Sequence, residues 1–239
     1  MWVFHDVGLL QVSLASIACI SHGPAMTLDS DRHDALQSLP VSRETVGDFD
    51  LYVELLQRWQ RVKNLVAPST LPQIWTRHIA DSAQLLPLLG DARTIVDFGS
   101  GAGFPGMVLA IANKTVPGFR VHLVESNGRK ASFLREVARI TGAPVTVHAV
   151  RIEDFVSEWQ DRADLITARA LAPLVELLDY SAELLKTGAR ALFLKGQDVE
   201  RELTQATKYW NIQAELIPSL TDSTGQIVSI KTATKHLGE

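Results

Sequence analysis

The sequence predicts an α/β protein in which helices cover both faces of a mainly parallel sheet. From Arg93 onward, short apolar runs alternate with longer amphipathic segments, which is the pattern of repeated strand–helix units. The last two apolar runs have no helical segment between them, so a hairpin is expected at an antiparallel edge of the sheet. Upstream of Arg93 the apolar residues follow a helical period, and a helical extension is therefore expected to precede the sheet.

Residues 30–90 of this extension are predicted to be helical. In segment 42–66, apolar side chains recur at three- and four-residue steps, which is the period of one helix face. Ser42 is a suitable N-cap for this helix. Pro72 suits the first turn of a further helix that runs through Ile79. The apolar positions of the first helix are Val46, Phe49, Tyr52, Val53, Leu56, Trp59 and Val62.

The strand–helix domain is predicted over residues 91–239, after a helical extension over residues 26–90. Its parallel strands are expected at 94–97, 121–125, 145–147, 165–167 and 191–194. Its helices are expected at 105–112, 129–141, 173–185 and 199–209. The edge hairpin is expected from strands at 211–217 and 226–231.

The first 25 residues differ from the rest of the chain. Residues 7–20 are apolar, as in the centre of a signal peptide, but the basic start is missing and Asp6 stands there instead. We expect this head to be disordered, or to precede a natural start at Met26. No apolar run reaches the roughly 18 residues of a bilayer-spanning helix. The single cysteine, Cys19, excludes an internal disulfide framework, which is typical of a protein in the reducing cytoplasm. We also expect the protein to be a monomer.

The net charge of −4 disfavours a protein that coats nucleic acids without specificity. It does not exclude an RNA enzyme, because affinity for RNA depends on a local basic face. No spacing of histidine or cysteine predicts a metal site. The local basic groups are Arg58, Arg61 and Lys63; Arg77 and His78; and Arg129, Lys130, Arg135 and Arg139.

A glycine-rich loop, VDFGSGAGFPG at residues 96–106, follows the first predicted strand and opens a helix. Glycines in this context let a ligand approach the backbone closely, and Gly101 lies at the centre of the loop. The same spacing occurs in proteins that bind dinucleotides, so a nucleotide-dependent oxidoreductase is an alternative.

Carboxylates near the loop favour a different cofactor. Asp97 ends the first strand, where it would repel the pyrophosphate of a dinucleotide but attract the sulfonium and ammonium of S-adenosylmethionine. Glu125 ends the second strand, where a carboxylate can accept hydrogen bonds from both hydroxyls of a ribose. The loop and its acids together predict a methyltransferase that uses S-adenosylmethionine.

Residues 55–197 resemble the bacterial 16S ribosomal RNA guanine-N7 methyltransferase family, also called the glucose-inhibited division protein B family. The glycine loop of residues 97–106 is shared in the order and spacing of the family. The other matching pieces are Trp59 with Lys63-Asn64-Leu65; Arg77-His78-Ile79 with Asp81-Ser82; Arg129-Lys130 with Phe133-Leu134; Arg151-Ile152-Glu153; Ala168-Arg169-Ala170; and Lys195-Gly196-Gln197.

The resemblance implies a class I methyltransferase with a Rossmann-like sheet, S-adenosylmethionine as cofactor, and 16S ribosomal RNA or the small ribosomal subunit as partner. It also implies cofactor contacts at Gly99, Phe104, Ile152, Glu153 and Arg169, with Ile152 against the adenine. For the RNA we expect contacts from Arg77 and His78, which lie in a family motif, and from Lys195 at the end of the fifth strand.

Methylation at N7 of guanine needs no catalytic base, because that nitrogen carries a free lone pair. Catalysis then rests on alignment of the nitrogen with the methyl group. Carbon-5 methylation of a pyrimidine would need a nucleophilic thiol, and methylation of an exocyclic amine is typical of an Asn/Asp-Pro-Pro-aromatic loop, where this chain has Thr167-Ala168-Arg169-Ala170. A non-catalytic ribosome-assembly factor is the remaining alternative.

Overall fold

The computed structural model describes residues 27–37, 39, 41–62 and 64–236. The predictions for residues 1–25, for a start at Met26 and for Lys63 lie outside the described residues. Within those residues, no helix has the length and apolar character needed to cross a membrane.

The described strands form one seven-stranded sheet in the order β3-β2-β1-β4-β5-β7-β6. Strands β1 to β5 pair in parallel, and β7 pairs antiparallel with both β5 and β6. The predicted parallel sheet and its antiparallel edge hairpin are both confirmed. The strands are β1 (Thr94–Phe98), β2 (Arg120–Val124), β3 (Val145–His148), β4 (Leu165–Arg169), β5 (Arg190–Lys195), β6 (Trp210–Pro218) and β7 (Gln226–Lys235).

The helical extension begins with α1 (Leu28–Gln37) and α2 (Arg43–Gln60). Ser42 caps α2 as predicted, since its hydroxyl accepts a hydrogen bond from the Thr45 N–H at 3.2 Å. The helix ends at Gln60, two residues before Val62, the last apolar position of the predicted pattern.

The segment from Pro72 to Ile79 is helical, but Pro72 does not lie in the first turn of one continuous helix. Pro72 lies inside a 3₁₀ helix, Pro68–Gln73, which is followed by a π-helix, Trp75–Ala80. The buried carboxylate of Asp31 accepts hydrogen bonds from the N–H groups of Trp75 (2.7 Å) and Thr76 (3.2 Å). A side chain of α1 thus caps the first turn of the π-helix from outside. The extension ends with α3 (Asp81–Ala83) and a 3₁₀ turn (Leu86–Leu88).

Five helices accompany the parallel strands, and four of them lie where the sequence predicts. The fifth, α6, has only seven residues and buries Phe155 alone, so its apolar pattern is too short to identify a helix. The helices are α4 (Gly106–Ala112), α5 (Gly128–Thr141), α6 (Ile152–Glu158), α7 (Leu174–Lys186) and α8 (Val199–Ala206).

The extension and one face of the sheet domain share a single hydrophobic core. Tyr52 of α2 stacks on Phe104 of the glycine loop, with ring centroids 5.3 Å apart. The Tyr52 hydroxyl also donates a hydrogen bond to the carbonyl of Ala102. Trp59 packs edge-on against Phe133 of α5 at 5.6 Å. The extension therefore supports the glycine loop directly.

Candidate active site

The glycine loop between β1 and α4 follows a path that only glycine adopts easily. Gly99, Gly101 and Gly103 have φ angles of +60°, +58° and +104°, in the region that side-chain-bearing residues rarely occupy. A side chain at Gly103 would also meet the Tyr52 hydroxyl oxygen at 2.6 Å. Two of the three glycines, Gly99 and Gly101, line a cavity.

This first cavity, which we call the loop cavity, has a volume of about 270 Å³. It brings together five of the predicted cofactor residues: Gly99, Gly101, Glu125, Ile152 and Glu153. Its wall is completed by Val124, Ser126, Lys130, Val150, Arg151, Ala170, Leu171 and Tyr180.

Two backbone N–H groups fix the Glu125 carboxylate at the edge of the loop cavity. Oε2 accepts a hydrogen bond from Gly101 N at 2.8 Å, and Oε1 accepts one from Asn127 N at 2.7 Å. Each carboxylate oxygen has a further lone pair with which to accept a hydrogen bond. The carboxylate is thus an oriented acceptor for a pair of neighbouring hydroxyls, and Ile152 adds an apolar surface to the same cavity.

A second cavity, which we call the hairpin cavity, has a volume of about 280 Å³. It lies between the helical extension, the ends of β4 and β5, and the loop of the β6–β7 hairpin. It brings together the three predicted RNA residues, Arg77, His78 and Lys195. The other lining residues are Thr70, Asp81, Gln84, Arg169, Ala170, Leu194, Gly196, Ser219, Thr221, Asp222, Gly225, Gln226 and Ile227.

Arg169 lies in the hairpin cavity, whereas Gly99, Ile152 and Glu153, which the resemblance also assigns to the cofactor, line the loop cavity. Its Nη1 donates hydrogen bonds to the Arg77 carbonyl (2.8 Å) and to Asp81 Oδ2 (3.0 Å). Its guanidinium carbon also lies 5.0 Å from the centroid of the Phe104 ring. These contacts hold the guanidinium in place in the wall of the cavity.

His78 is neutral in this arrangement. Burial, and then the charges of Arg169 and Arg77, lower the pKa of His78 to about 3. Arg169 Nη2 lies 2.7 Å from His78 Nδ1. Because arginine only donates, Nδ1 must accept, and the proton lies on Nε2, 2.9 Å from Thr70 Oγ1. His78 therefore positions Arg169 and presents no positive charge to an RNA phosphate.

Phe104 is not among the residues that line the loop cavity or the hairpin cavity. Its side chain is 5% exposed and lies between the rings of Tyr52 and His78, whose centroids are 5.3 Å and 4.8 Å away. The structure thus gives this residue a packing role beneath the site.

The expectation that Asp97 faces a ligand does not hold in this structure. Its side chain is fully buried and lines neither cavity. Oδ1 accepts a hydrogen bond from the Thr167 hydroxyl at 2.7 Å, and Oδ2 accepts one from Gly106 N at 3.3 Å. The carboxylate connects β1, β4 and the start of α4. Sequence position at a strand end did not reveal that the loop closes over this side chain.

Asp97→Asn is expected to lower the affinities for S-adenosylmethionine and S-adenosylhomocysteine equally, by less than about threefold, because the carboxylate does not reach the loop cavity. Burial raises the pKa of Asp97 to about 6, so its contribution to folding stability falls as the pH rises from 3.8 to about 6. The variant should therefore gain more melting temperature over the wild type at pH 7.5 than at pH 5. Calorimetry and thermal melting test both points. A loss of affinity for S-adenosylmethionine alone would contradict this expectation and would indicate that Asp97 interacts directly with the sulfonium.

Lys195 lines the hairpin cavity, but two protein groups already hold its ammonium. Nζ lies 2.6 Å from Glu202 Oε2 and donates to the Ala172 carbonyl at 2.8 Å. Glu202 also accepts a hydrogen bond from Leu174 N at the start of α7. The ammonium is thus part of the packing between β5, α7 and α8, with one of its three donors left for a ligand.

Ala170, which sequence analysis named within a family motif but not as a site residue, lines both cavities. It directly follows β4 and has a φ of +49°, a conformation that is uncommon for alanine. Its place after a parallel strand, within a motif shared with the family, is a sequence signal that could have identified it. Among the described residues there is also no group of three or more histidine, cysteine or acidic side chains that could hold a metal ion.

Comparison with known proteins identifies relatives over most of the chain. The family model described as rRNA small subunit methyltransferase G matches residues 46–233. The protein of that name from Bradyrhizobium sp. (strain BTAi1) is 56% identical over 207 residues, which cover 87% of this chain and 93% of the relative. The one from Methylobacterium sp. (strain 4-46) is 52% identical over 209 residues, which cover 87% and 98%.

Solved structures of lower identity share the fold. The O-methyltransferase from Bacillus cereus, in complex with S-adenosylhomocysteine, has a TM-score of 0.55 at 16% identity and covers 87% of this chain and 98% of its own. The O-methyltransferase TomG from Streptomyces achromogenes, in complex with S-adenosylmethionine, also has a TM-score of 0.55, at 14% identity, and covers 85% and 96%. The predicted class I methyltransferase fold is confirmed.

The relatives carry the name of a methyltransferase, and they support neither the oxidoreductase nor the non-catalytic assembly factor that the sequence left open. The resemblance based on the glycine loop and its flanking motifs is confirmed over residues 46–233. The chain belongs to the rRNA small subunit methyltransferase G family.

Proposed function

We propose that this chain transfers the methyl group of S-adenosylmethionine to N7 of a guanine in 16S ribosomal RNA. The observation that carries the proposal is the meeting of two cavities at Ala170. The loop cavity is lined by the oriented carboxylate of Glu125 and by the apolar side chain of Ile152. The hairpin cavity is lined by three cationic side chains, those of Arg77, Arg169 and Lys195. The name shared by the relatives points to the small-subunit ribosomal RNA as the substrate.

The loop cavity suits the cofactor through its own residues. Glu125 is oriented to accept hydrogen bonds from the ribose hydroxyls, and Ile152 offers an apolar contact to the adenine. Gly101 leaves room for the cofactor beside the loop, since the nearest atom to an added Cβ lies 3.7 Å away, and Glu153 also lines the cavity. When bound, S-adenosylmethionine supplies an electrophilic methyl group on a positively charged sulfur.

The hairpin cavity suits the guanine. Its N7 lone pair attacks without prior loss of a proton, so the residues of this cavity have to orient the base rather than deprotonate it. The methylated ring carries a positive charge, which the carboxylates of Asp81 and Asp222 in the cavity wall favour. Arg77 is the more exposed of the two arginines and is the candidate for contact with an RNA phosphate. Arg169 is the candidate for a position between the cofactor and the base.

The helical extension of residues 26–90 forms one wall of the hairpin cavity, and the sheet domain of residues 91–239 forms the other. We propose that the small ribosomal subunit or its RNA binds across both, in the cytoplasm, to a single copy of the chain. The same core unites extension and sheet, so neither is expected to act without the other.

The decisive experiment maps N7-methylguanine in 16S ribosomal RNA from cells with and without the gene. A purified protein is then given labelled S-adenosylmethionine and either naked RNA or small subunits from the deletion strain. We expect one guanine to lose its methyl group in the deletion strain and to regain it in vitro. Unchanged methylation in the deletion strain, or cofactor binding without transfer to either substrate, would overturn the proposal.

A further inference from the structure

The loop that joins β6 to β7, residues 219–225, is fastened across the hairpin cavity to the helical extension. Leu220 N donates a hydrogen bond to Gln84 Oε1 at 2.8 Å. The Thr221 hydroxyl donates to Asp81 Oδ1 at 2.7 Å. These bonds connect residues that are 136 and 140 positions apart in sequence. We call this loop the hairpin strap, and it forms one wall of the cavity.

A third attachment of the hairpin strap is an ion pair between Arg77 and Asp222, with Nη1 and Oδ2 2.8 Å apart. The two side chains are 44% and 31% exposed, whereas those of the neighbouring pair Arg169–Asp81 are 16% and 17% exposed. Exposed ion pairs contribute little net stability and exchange their partners easily. The Arg77–Asp222 pair is thus the attachment that a ligand can most readily replace.

Asp222 stays oriented without Arg77. Its Oδ1 accepts hydrogen bonds from the Thr224 N–H at 2.9 Å and from the Thr224 hydroxyl at 2.8 Å. These bonds, together with Arg77, lower the pKa of Asp222 to about 2. The side chain is therefore an ionised, purely accepting group on the wall of the cavity at neutral pH.

The other carboxylate of the hairpin cavity is not available in the same way. Asp81 Oδ1 accepts from Gln84 Nε2 and from Thr221, and Oδ2 accepts from Arg169. Replacing any of these partners would detach either the strap or the guanidinium. Of the two carboxylates that line the hairpin cavity, only Asp222 pairs with Arg77, the arginine proposed to contact an RNA phosphate.

Guanine presents two adjacent donors, N1–H and the N2 amine, on the edge opposite its imidazole ring. A carboxylate accepts from both at once, whereas the N1 lone pair of adenine would face the negative charge and be repelled. N7 lies on the other side of the ring and stays free to react. A carboxylate that reads this edge thus selects guanine without touching the reacting nitrogen.

We propose that Asp222 is the residue that selects guanine in this site. On RNA binding, Arg77 moves from Asp222 to a phosphate, and the freed carboxylate accepts hydrogen bonds from N1–H and N2–H of the target base. This inference rests on the proposed function, since it concerns the base that the hairpin cavity receives.

The test combines Asp222→Asn with a change in the RNA. The asparagine keeps the shape of the side chain and an oxygen for Thr224, but it turns a donating amide toward the donors of guanine. The RNA is a small-subunit RNA, joined from a synthetic oligonucleotide, in which the mapped target guanine is replaced by inosine, which lacks the N2 amine. Initial rates of methyl transfer are measured for both enzymes on both RNAs, together with the affinity for S-adenosylmethionine.

We expect inosine to slow the wild type by about tenfold or more, and the variant by less than about twofold relative to its own rate on guanine. The variant should act on guanine about tenfold more slowly or worse, with unchanged cofactor affinity. Asp179→Asn is the matched control, because Asp179 forms an exposed ion pair with Lys235 at 2.7 Å, outside both cavities. It should behave as the wild type on both RNAs.

A merely structural role of Asp222 predicts the same inosine penalty in the wild type and the variant, and this result would overturn the inference. A wild type that methylates inosine and guanine at equal rates overturns it as well, whether or not the variant folds. If the wild type transfers no methyl group to the guanine RNA, the proposed function itself fails, which is a separate outcome.

Discussion

Gly101→Val is expected to reduce the affinity for S-adenosylmethionine at least a hundredfold while the protein remains folded. Gly101 lines the loop cavity with a φ of +58°, and its N–H orients the Glu125 carboxylate. The space around an added Cβ is open, with the nearest atom 3.7 Å away, so a branched side chain would occupy the cavity rather than clash with the core. Calorimetry with the purified variant measures the loss.

Gly142→Val is the control for backbone strain. Gly142 ends α5 with a φ of +68°, and no atom lies within 4 Å of an added Cβ. Both valines should lower the free energy of unfolding by about 1–2 kcal/mol, since both impose a left-handed backbone on a side-chain-bearing residue. Only Gly101→Val should lose the cofactor. Equal cofactor affinities in the two variants would remove the glycine loop from the binding site.

Gly103→Ala is expected to have the largest effect on stability, lowering the free energy of unfolding by about 3 kcal/mol. Its φ is +104°, and an added Cβ would lie 2.6 Å from the Tyr52 hydroxyl oxygen and 2.8 Å from Met107 Cβ. Those neighbours are buried, so relief of the overlap requires the extension and the loop to separate. Urea denaturation gives the free energy.

Gly118→Ala separates overlap from backbone strain. Gly118 has a φ of +75° and no neighbour within 4 Å of an added Cβ, so its alanine variant should lose only about 1 kcal/mol. If the two alanine variants melt alike, the contact between extension and loop contributes nothing to stability, and the shared core would not be the support of the loop.

The strands, most helices and the glycine loop could be predicted from sequence because each depends on short-range periodicity or on a contiguous motif. The strand ends also indicated that Glu125 lies beside the glycine loop, since its hydrogen-bond partners, Gly101 and Asn127, belong to the same two strand–loop junctions. The π-helix escaped prediction because its cap, Asp31, lies 44 residues away in sequence from Trp75.

The chemical states of the site residues could not be predicted in this way. His78 looked like a positive contact for RNA, yet its burial and its bond to Arg169, 91 residues away in sequence, keep it neutral. Asp97 looked like a ligand for a cation, yet Thr167 and the start of α4 enclose it. Burial and pairing between distant segments decide both outcomes, and no local pattern records them.

During synthesis on the ribosome, α2 is made before the glycine loop and α5, against which it packs. The Tyr52 hydroxyl donates a hydrogen bond to the carbonyl of Ala102, 50 residues further along the chain. Its ring packs against Phe133 of α5, which follows later still. The apolar face of α2 therefore leaves the exit tunnel well before its partners do. Until α5 has emerged, that face is exposed to solvent, and the nascent chain presents a binding surface for a chaperone that the finished enzyme lacks.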